Sequence, residues 1–386
     1  MTVTNTSEVL HVWRVLVVDD DENITRQISQ YFNGDALNDK PYRLRTETCN
    51  SFTRGVELLE ESRFDILILD VRLGRHEDAA DHEEFGIRTL EAIQKRRFIP
   101  TIFYTGLPGA VQHLETPLVH IVEKTESVTR LLDSVDSVIA TRLPLLNRAI
   151  VRHVERVQAQ YMWNFVAGAW NEINELDDST ALAYLLARRL SLSLTNSGMA
   201  SFAGEVGPGA DIPQSGKMHP VQYYVIPPLP APAALGGDIH RDTSQPPGYR
   251  ILLTPSCDLV QSKVEYLLWA RCVPLAEFQE YSDWKADPSS AKEKLLQSLV
   301  LNNRRMKGTQ PDRYFFLPAA LGLPDLLVDF QQLSATPGSC PGIATRIASL
   351  DNPFAEALLS RFARYLNRLG VPDLDGSVIF NRLRTS

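Results

Sequence analysis

The chain has 386 residues, 44% of them hydrophobic and 22% charged, which is enough for two or three globular domains with cores of their own. A formal net charge of -8 argues against a protein whose main task is coating nucleic acid, while leaving room for a local basic patch. No apolar run reaches the roughly 20 residues of a membrane span, and the opening MTVTNTSEVLHVW lacks the charged and apolar regions of a secretion signal, so a cytoplasmic protein is expected.

The first element, VWRVLVVD (12–19), reads as a buried strand that ends in three successive acids, Asp19, Asp20 and Asp21. Like charges repel there, and desolvating them is costly. The acids are therefore either a solvated loop that caps the following helix, or they surround something cationic. A helix is expected from near Asn23, followed by YRLRTETC (42–49), whose polar alternation suits an edge strand. SFTRGVELLEES reads as a helix, DILILD (65–70) as a buried strand and FGIRTLEAIQKR as a further helix. TIFYT (101–105), LVHIV (118–122) and the helical SVTRLLDSVDSVIATRL complete the series. Strands alternating with helices predict a doubly wound parallel α/β sheet, with a ligand site outside the carboxyl ends of its strands.

Four features fall at those ends: Asp19 and Asp20 after the first strand, Asp70 after the third, Thr105 after the fourth and Lys124 after the fifth. In this order they resemble the CheY-like receiver domain of bacterial two-component response regulators, over about residues 11–141. The resemblance implies that Asp70 accepts a phosphoryl group from a sensor histidine kinase, and that the domain catalyses this transfer and the later hydrolysis itself. It implies Mg²⁺ held by Asp19, Asp20, Asp70 and the backbone carbonyl of Arg72, with Thr105 and Lys124 hydrogen-bonding the phosphoryl oxygens. Such chemistry suits a hard cation that takes oxygen ligands and neutralises the transferring group. Asp21 is left as a surface residue or a helix cap.

Three departures from the pattern stand out. Lys124 is followed by Thr125 instead of proline, and Ile121 occupies the place of the switch aromatic. The loop after Asp70 is also long, with Gly86 as its closing glycine; its acids (Glu77, Asp78, Asp81, Glu83, Glu84) and His76 and His82 read as a solvated, partner-facing loop over 75–84. An inactive receiver kept as a scaffold remains an alternative.

Residues 145–170 are predicted to form one long helix with an apolar stripe of Leu146, Ile150, Val154, Val157, Tyr161 and Phe165. That stripe serves equally for packing within the chain or for a homodimer. A second helix is expected over 179–194. Proline and glycine then crowd residues 204–248, with VQYYVI (221–226) as an isolated strand candidate. From about 249, YRILLTP, VEYLLWARCV, RYFFLP and LLVDFQQL read as strands. SSAKEKLLQSLVL and DNPFAEALLSRFARYLNRLG read as helices, the last capped by Asn352 and stopped by Gly370. The expected domains are therefore the receiver (11–141), a helical linker (142–196), a Pro/Gly-rich connector (197–248) and an α+β output domain (249–386), for which a small barrel with flanking helices is one form.

Cys49, Cys257, Cys272 and Cys340 are scattered and form no C-x-x-C pair, which argues against a disulfide framework or a zinc site. TPSCDL (254–259) offers Cys257 beside Asp258, with His240 upstream, as a nucleophile candidate, although single cysteines are more often buried small hydrophobes. NNRRMKG (302–308) is a basic cluster that could meet phosphates or simply end a helix. TPSCDL, RYFFLP and LVDFQQL faintly resemble PemK-like barrel modules, too weakly to carry any residue over. The leading expectation is a response regulator that acts through protein contacts, with nucleic acid a lesser candidate partner. The alternative is a phosphorylation-gated nuclease or hydrolase, as in phage defence.

Overall fold

The computed structural model describes residues 11–34, 37–71, 90–91, 93–95, 97–175, 179–194, 218–230, 234–242, 247–302, 312–338, 345–367 and 375–385. Two compact units divide the chain, Met1–Ile212 and Pro213–Ser386.

The first unit is built on five parallel strands: β1 (His11–Val18), β2 (Tyr42–Cys49), β3 (Ile66–Leu69), β4 (Thr101–Thr105) and β5 (Val119–Glu123). Their order is β2-β1-β3-β4-β5, so β2 is an edge strand, as its polar alternation predicts. Alternate residues of β1 feed two cores. Val15 and Val17 join Ile66, Ile102 and Leu131 on one face, and Leu16 and Val18 join Leu67, Phe103 and Leu59 on the other. Helices cover both faces, which is why the inner strands read as unbroken apolar runs.

Helix α1 (Glu22–Asn33) starts where the Asp21 carboxylate accepts a hydrogen bond from the Asn23 amide at 2.8 Å. Helix α2 (Phe52–Glu61) is capped by Ser51 and lies so close to β1 that a Cβ on Gly55 would sit 2.9 Å from Val18 Cγ2. A helical turn, α3 (Pro108–Val111), and helix α4 (Val128–Ala140) complete the covering layers.

The helix expected over 145–170 is broken. Helix α5 runs from Leu143 to Tyr161, passes into a π-helical turn (Met162–Val166), and is followed by α6 (Trp170–Glu175) and α7 (Ser179–Ser193). Its buried residues include Ala149, His153, Val157 and Tyr161, whereas Ile150 and Phe165 are 37% and 48% exposed. Two contacts set this rotation. Arg148 binds Asp65 through Nε and Nη2, at 3.1 and 2.5 Å, and its guanidinium stacks 4.5 Å from the Trp13 ring. His153 Nε2 meets Ser193 Oγ of α7 at 3.1 Å. The π turn then adds residues per turn and swings Phe165 outward. Among the described residues no helix is long and apolar enough to cross a membrane.

The second unit is an α+β domain built on a curled antiparallel sheet, a half-barrel of order β10-β11-β9-β8-β7-β12-β6. Its strands are β6 (Tyr224–Val225), β7 (Asp238–Asp242), β8 (Gly248–Leu252), β9 (Tyr266–Pro274), β10 (Tyr314–Leu317), β11 (Leu326–Pro337) and β12 (Arg346–Leu350). The expected strand over 221–226 shrinks to two residues, because Pro220 opens a 3-10 turn through Tyr223 and Pro227 supplies no amide to extend the ladder.

Among the described residues five helices accompany the sheet: α8 (Ser256–Val260), α9 (Gln279–Ala286), α10 (Ser290–Val300), α11 (Phe354–Leu366) and α12 (Gly376–Thr385). One sheet face, carrying Ile239, Ile251, Ala270, Val328 and Ala348, packs on Leu358 and Phe362 of α11. Pro353, rather than Asn352, is the residue preceding that helix, and it has no side-chain cap.

Candidate functional site

Each of the carboxyl ends of β1, β3, β4 and β5 delivers one polar side chain to the same edge of the parallel sheet. The Asp19 amide donates to Cys49 O at 3.1 Å, the Asp70 amide to Val18 O at 2.9 Å and the Lys124 amide to Thr105 O at 2.9 Å. These bonds continue the ladder just beyond the strands and hold the side chains in register. Carboxylate oxygens of Asp19, Asp20 and Asp70 all lie within 4.8 Å of one another. Asp19 and Asp70 are buried, and Asp20 is exposed.

Lys124 holds the buried pair together. Its Nζ lies 2.7 Å from Asp19 Oδ2 and 2.7 Å from Asp70 Oδ2. Backbone amides satisfy the opposite oxygens: Asp21 N donates to Asp19 Oδ1 at 2.9 Å, and Val71 N to Asp70 Oδ1 at 2.8 Å. Burial pushes the Asp19 carboxyl above its ordinary range, and the Asp70 charge adds to this, against the hydrogen bonds from Lys124 and Asp21. For Lys124, burial works against the charged form, but its bonds to Asp19 and Asp70 outweigh that and raise its pKa. Thus the crowded aspartates already contain a cation, and Asp21, the third in the run, is the cap of α1. The sequence puts Lys124 at the same sheet edge as the aspartates, but that it bridges Asp19 and Asp70 is decided by the folded geometry.

Thr105 is fully buried, and its Oγ1 accepts a hydrogen bond from Leu107 N at 3.1 Å. Its own hydroxyl hydrogen is therefore available to a further acceptor. Ile121 is half-buried on β5, opposite Phe103, and packs into the second core of the unit. Three carboxylates so disposed offer hard oxygen ligands of the kind that divalent cations such as Mg²⁺ take. Arg72, Gly86 and the acidic stretch 75–84 lie outside the described residues.

A strand order of 2-1-3-4-5 is the doubly wound arrangement shared by flavodoxin and CheY. The first unit has the fold of a response-regulator receiver domain. No protein-family model and no curated protein matches the chain. Solved structures similar to it include response-regulator receiver domains, each matching about a third of the chain. A Francisella response-regulator receiver domain is 18% identical, covering 33% of this chain and 98% of that one, with a TM-score of 0.26. The Thermotoga maritima response regulator TrrA, in complex with Mg²⁺ and BeF, is 20% identical over 33% of this chain and 98% of that one, with a TM-score of 0.25. The receiver domain of an HD-domain protein from Pseudomonas fluorescens is 20% identical over 34% and 97% of the two chains, with a TM-score of 0.26.

The first unit also carries a groove of about 640 Å³ whose lining includes Arg14, Arg45, Arg63, Arg97 and Arg152. It opens at the amino ends of the strands, the opposite edge from the aspartates.

In the second unit, Cys257 lies in the first turn of α8. It is exposed, with Sγ 3.6 Å from Asp258 Oδ1. His240 is buried on β7, bonded through Nδ1 to the Thr345 hydroxyl at 2.9 Å and edge-on to the Trp269 ring. Burial lowers its pKa to about 4. Cys257 and His240 are not hydrogen-bonded to each other, so they do not form the nucleophile–base pair considered from the sequence. Of the basic cluster 302–308 only Asn302 is described. It accepts from Arg361 Nη1 at 3.0 Å and belongs to the packing of α11. Cys340 and Gly370 lie outside the described residues.

Proposed function

We propose that the chain is a response regulator whose receiver domain is phosphorylated on Asp70 by a sensor histidine kinase. The observation that carries this reading is the meeting of Asp19, Asp20 and Asp70 with Lys124 at one edge of the parallel sheet. Asp19, Asp20 and Asp70 would hold Mg²⁺, which when bound neutralises charge on the transferring oxygens.

The chain's own residues do the rest. An Asp70 carboxylate oxygen attacks phosphorus as the phosphorus–nitrogen bond of the donor phosphohistidine breaks, and the leaving imidazole takes up a proton. The Val71 amide keeps Asp70 oriented through its other oxygen. Lys124, which now spans two carboxylates, exchanges Asp70 for a phosphoryl oxygen and retains Asp19. Thr105 donates its free hydroxyl hydrogen to a second phosphoryl oxygen. These two contacts exist only in the phosphorylated state, so they are what the rest of the domain can respond to. With Ile121 in place of an aromatic ring, the response passes through backbone shifts of β4 and β5 toward α4 and α5. The second unit is the output domain. Partner contacts at the exposed Ile150, Trp163 and Phe165, including contacts with a second copy, are the proposed readout.

Incubating the protein with acetyl phosphate and Mg²⁺ should add one phosphoryl mass. Asp70→Asn should remove that addition, and Thr105→Val should leave it in place but shorten or lengthen its lifetime. Labelling that persists in Asp70→Asn would overturn the assignment.

A further inference from the structure

The second unit carries a row of charge that its own side chains do not neutralise. Antiparallel register sets Arg346 of β12, His240 of β7, Arg250 of β8, Arg271 of β9 and Asp329 of β11 opposite one another in sequence across the sheet. Opposed residues of an antiparallel pair share a face, and here it is the face turned away from Ile239, Ile251, Ala270 and α11. Small apolar clusters flank the row. One comprises Leu252, Leu259 and Trp269, and the other joins Leu327 to Leu296 and Leu299 of α10.

Asp329 of the row and Asp238, which is bonded to it, are already engaged. Asp329 accepts both Nε and Nη2 of Arg313, at 2.9 and 2.7 Å, and the Gln331 amide at 3.0 Å. Asp238 accepts Arg346 Nη1 at 3.1 Å, Ser349 Oγ at 2.5 Å and the Leu235 amide at 2.9 Å. That leaves the guanidinium groups of Arg250 and Arg271, residues opposite each other in the register, with neither an ion pair nor a hydrogen bond among the described residues. Arg250 only stacks, 4.2 Å from the Trp269 ring. Three buried nitrogens of the row, His240 Nε2, Arg250 Nε and Arg346 Nε, have no hydrogen-bond partner among the described residues. Like charges directly opposite in a sheet are destabilising, and a native interior seldom leaves buried donors unmatched. Here both occur at one place.

We propose that Arg250 and Arg271, with His240 beside them, bind the phosphate group of a small phosphomonoester. Arg346 is neutralised by Asp238, and His240, with a pKa of about 4, is uncharged at neutral pH. Two positive charges therefore remain. A phosphomonoester carries about -1.5 to -2 at pH 7, which matches them. A carboxylate or a nucleic-acid phosphodiester brings one negative charge and would leave one arginine uncompensated. Guanidinium forks also suit the geometry of phosphate oxygens.

The test uses the full-length protein in an Asp70→Asn background without Mg²⁺, so that the receiver site is silent. Isothermal titration with inorganic phosphate and with adenosine 5′-monophosphate is compared with dimethyl phosphate and acetate. Saturable millimolar or tighter binding is expected for the two dianions, with adenosine 5′-monophosphate at least as tight as inorganic phosphate. Arg271→Gln should weaken both by about tenfold or more, while its melting temperature without ligand equals or exceeds that of the parent because a like-charge contact is gone. Arg250→Lys keeps the charge but loses the fork and should also weaken binding. Absence of saturable phosphate binding in the parent would overturn the proposal, as would unchanged binding in Arg271→Gln. Acetate or dimethyl phosphate binding as tightly as phosphate would overturn the dianion assignment, and binding of inorganic phosphate alone would overturn the ester.

Discussion

Replacing Lys124 by methionine tests whether the aspartate cluster is stable only because a cation sits in it. Lys124 Nζ lies 2.7 Å from an oxygen of each of two carboxylates whose side chains are 3% and 0% exposed, and the lysine side chain itself is 17% exposed. At an effective dielectric of about 20, opposite charges this close attract by roughly 6 kcal/mol per contact, most of it offset by desolvation. Removing the cation while leaving both buried anions should cost about 3–5 kcal/mol, the usual range for breaking a buried pair from one side. Methionine preserves most of the stem packing, so the loss reports charge.

The assay is hydrogen exchange of the β1 and β3 amides in EDTA, where about 3 kcal/mol is a loss of protection of roughly a hundredfold or more. Mg²⁺ should restore protection more in Lys124→Met than in the parent, because in the variant it supplies the only counter-charge. Mild acid should also help the variant more, since Asp19 already has a raised pKa and would lose one of the hydrogen bonds that hold it down. Equal protection of variant and parent in EDTA would refute this reasoning, and so would an identical gain from Mg²⁺ in both.

Asp20→Asn should weaken Mg²⁺ binding in a metal titration while leaving the metal-free melting temperature unchanged or raised, because Asp20 is an exposed acid beside two others. Gly55→Ala should lower the melting temperature although alanine favours a helix by about 1 kcal/mol, since the new Cβ would meet Val18 Cγ2 at 2.9 Å; a stabilised variant would show that α2 can move away from β1. Arg361→Met should destabilise the second unit by about 3 kcal/mol in urea unfolding, because Asp312 and the Asn302 and Tyr314 acceptors lose a buried donor. His240, whose folded pKa falls to about 4 from an ordinary 6.5, takes up its proton more readily in the unfolded chain. The second unit should therefore lose stability as pH falls from about 6.5 toward 4, by up to about 3 kcal/mol. His240→Gln should flatten that profile. An unchanged slope would mean that other groups set it.

Much of the first unit was legible in the sequence because its signals are local. Unbroken apolar runs mark strands covered on both faces, and an acid directly after such a run must lie at the carboxyl edge of the sheet. Asp19, Asp70, Thr105 and Lys124 could therefore be assigned to one edge from their positions alone. The helix after this sheet was read only in part: Val157 and Tyr161 of its apolar stripe are buried, but Ile150 and Phe165 are exposed, because hydrophobic periodicity does not register the pull of Arg148 on Asp65 and Trp13, nor the π turn at Met162. The cationic row of the second unit was invisible for a stronger reason. Arg346, His240, Arg250 and Arg271 sit on four different strands, and only the hydrogen-bond register of the sheet aligns them. A strand's own residues fix which of its side chains share a face, but which strand lies alongside, and at what offset, is decided by the packing of the whole domain.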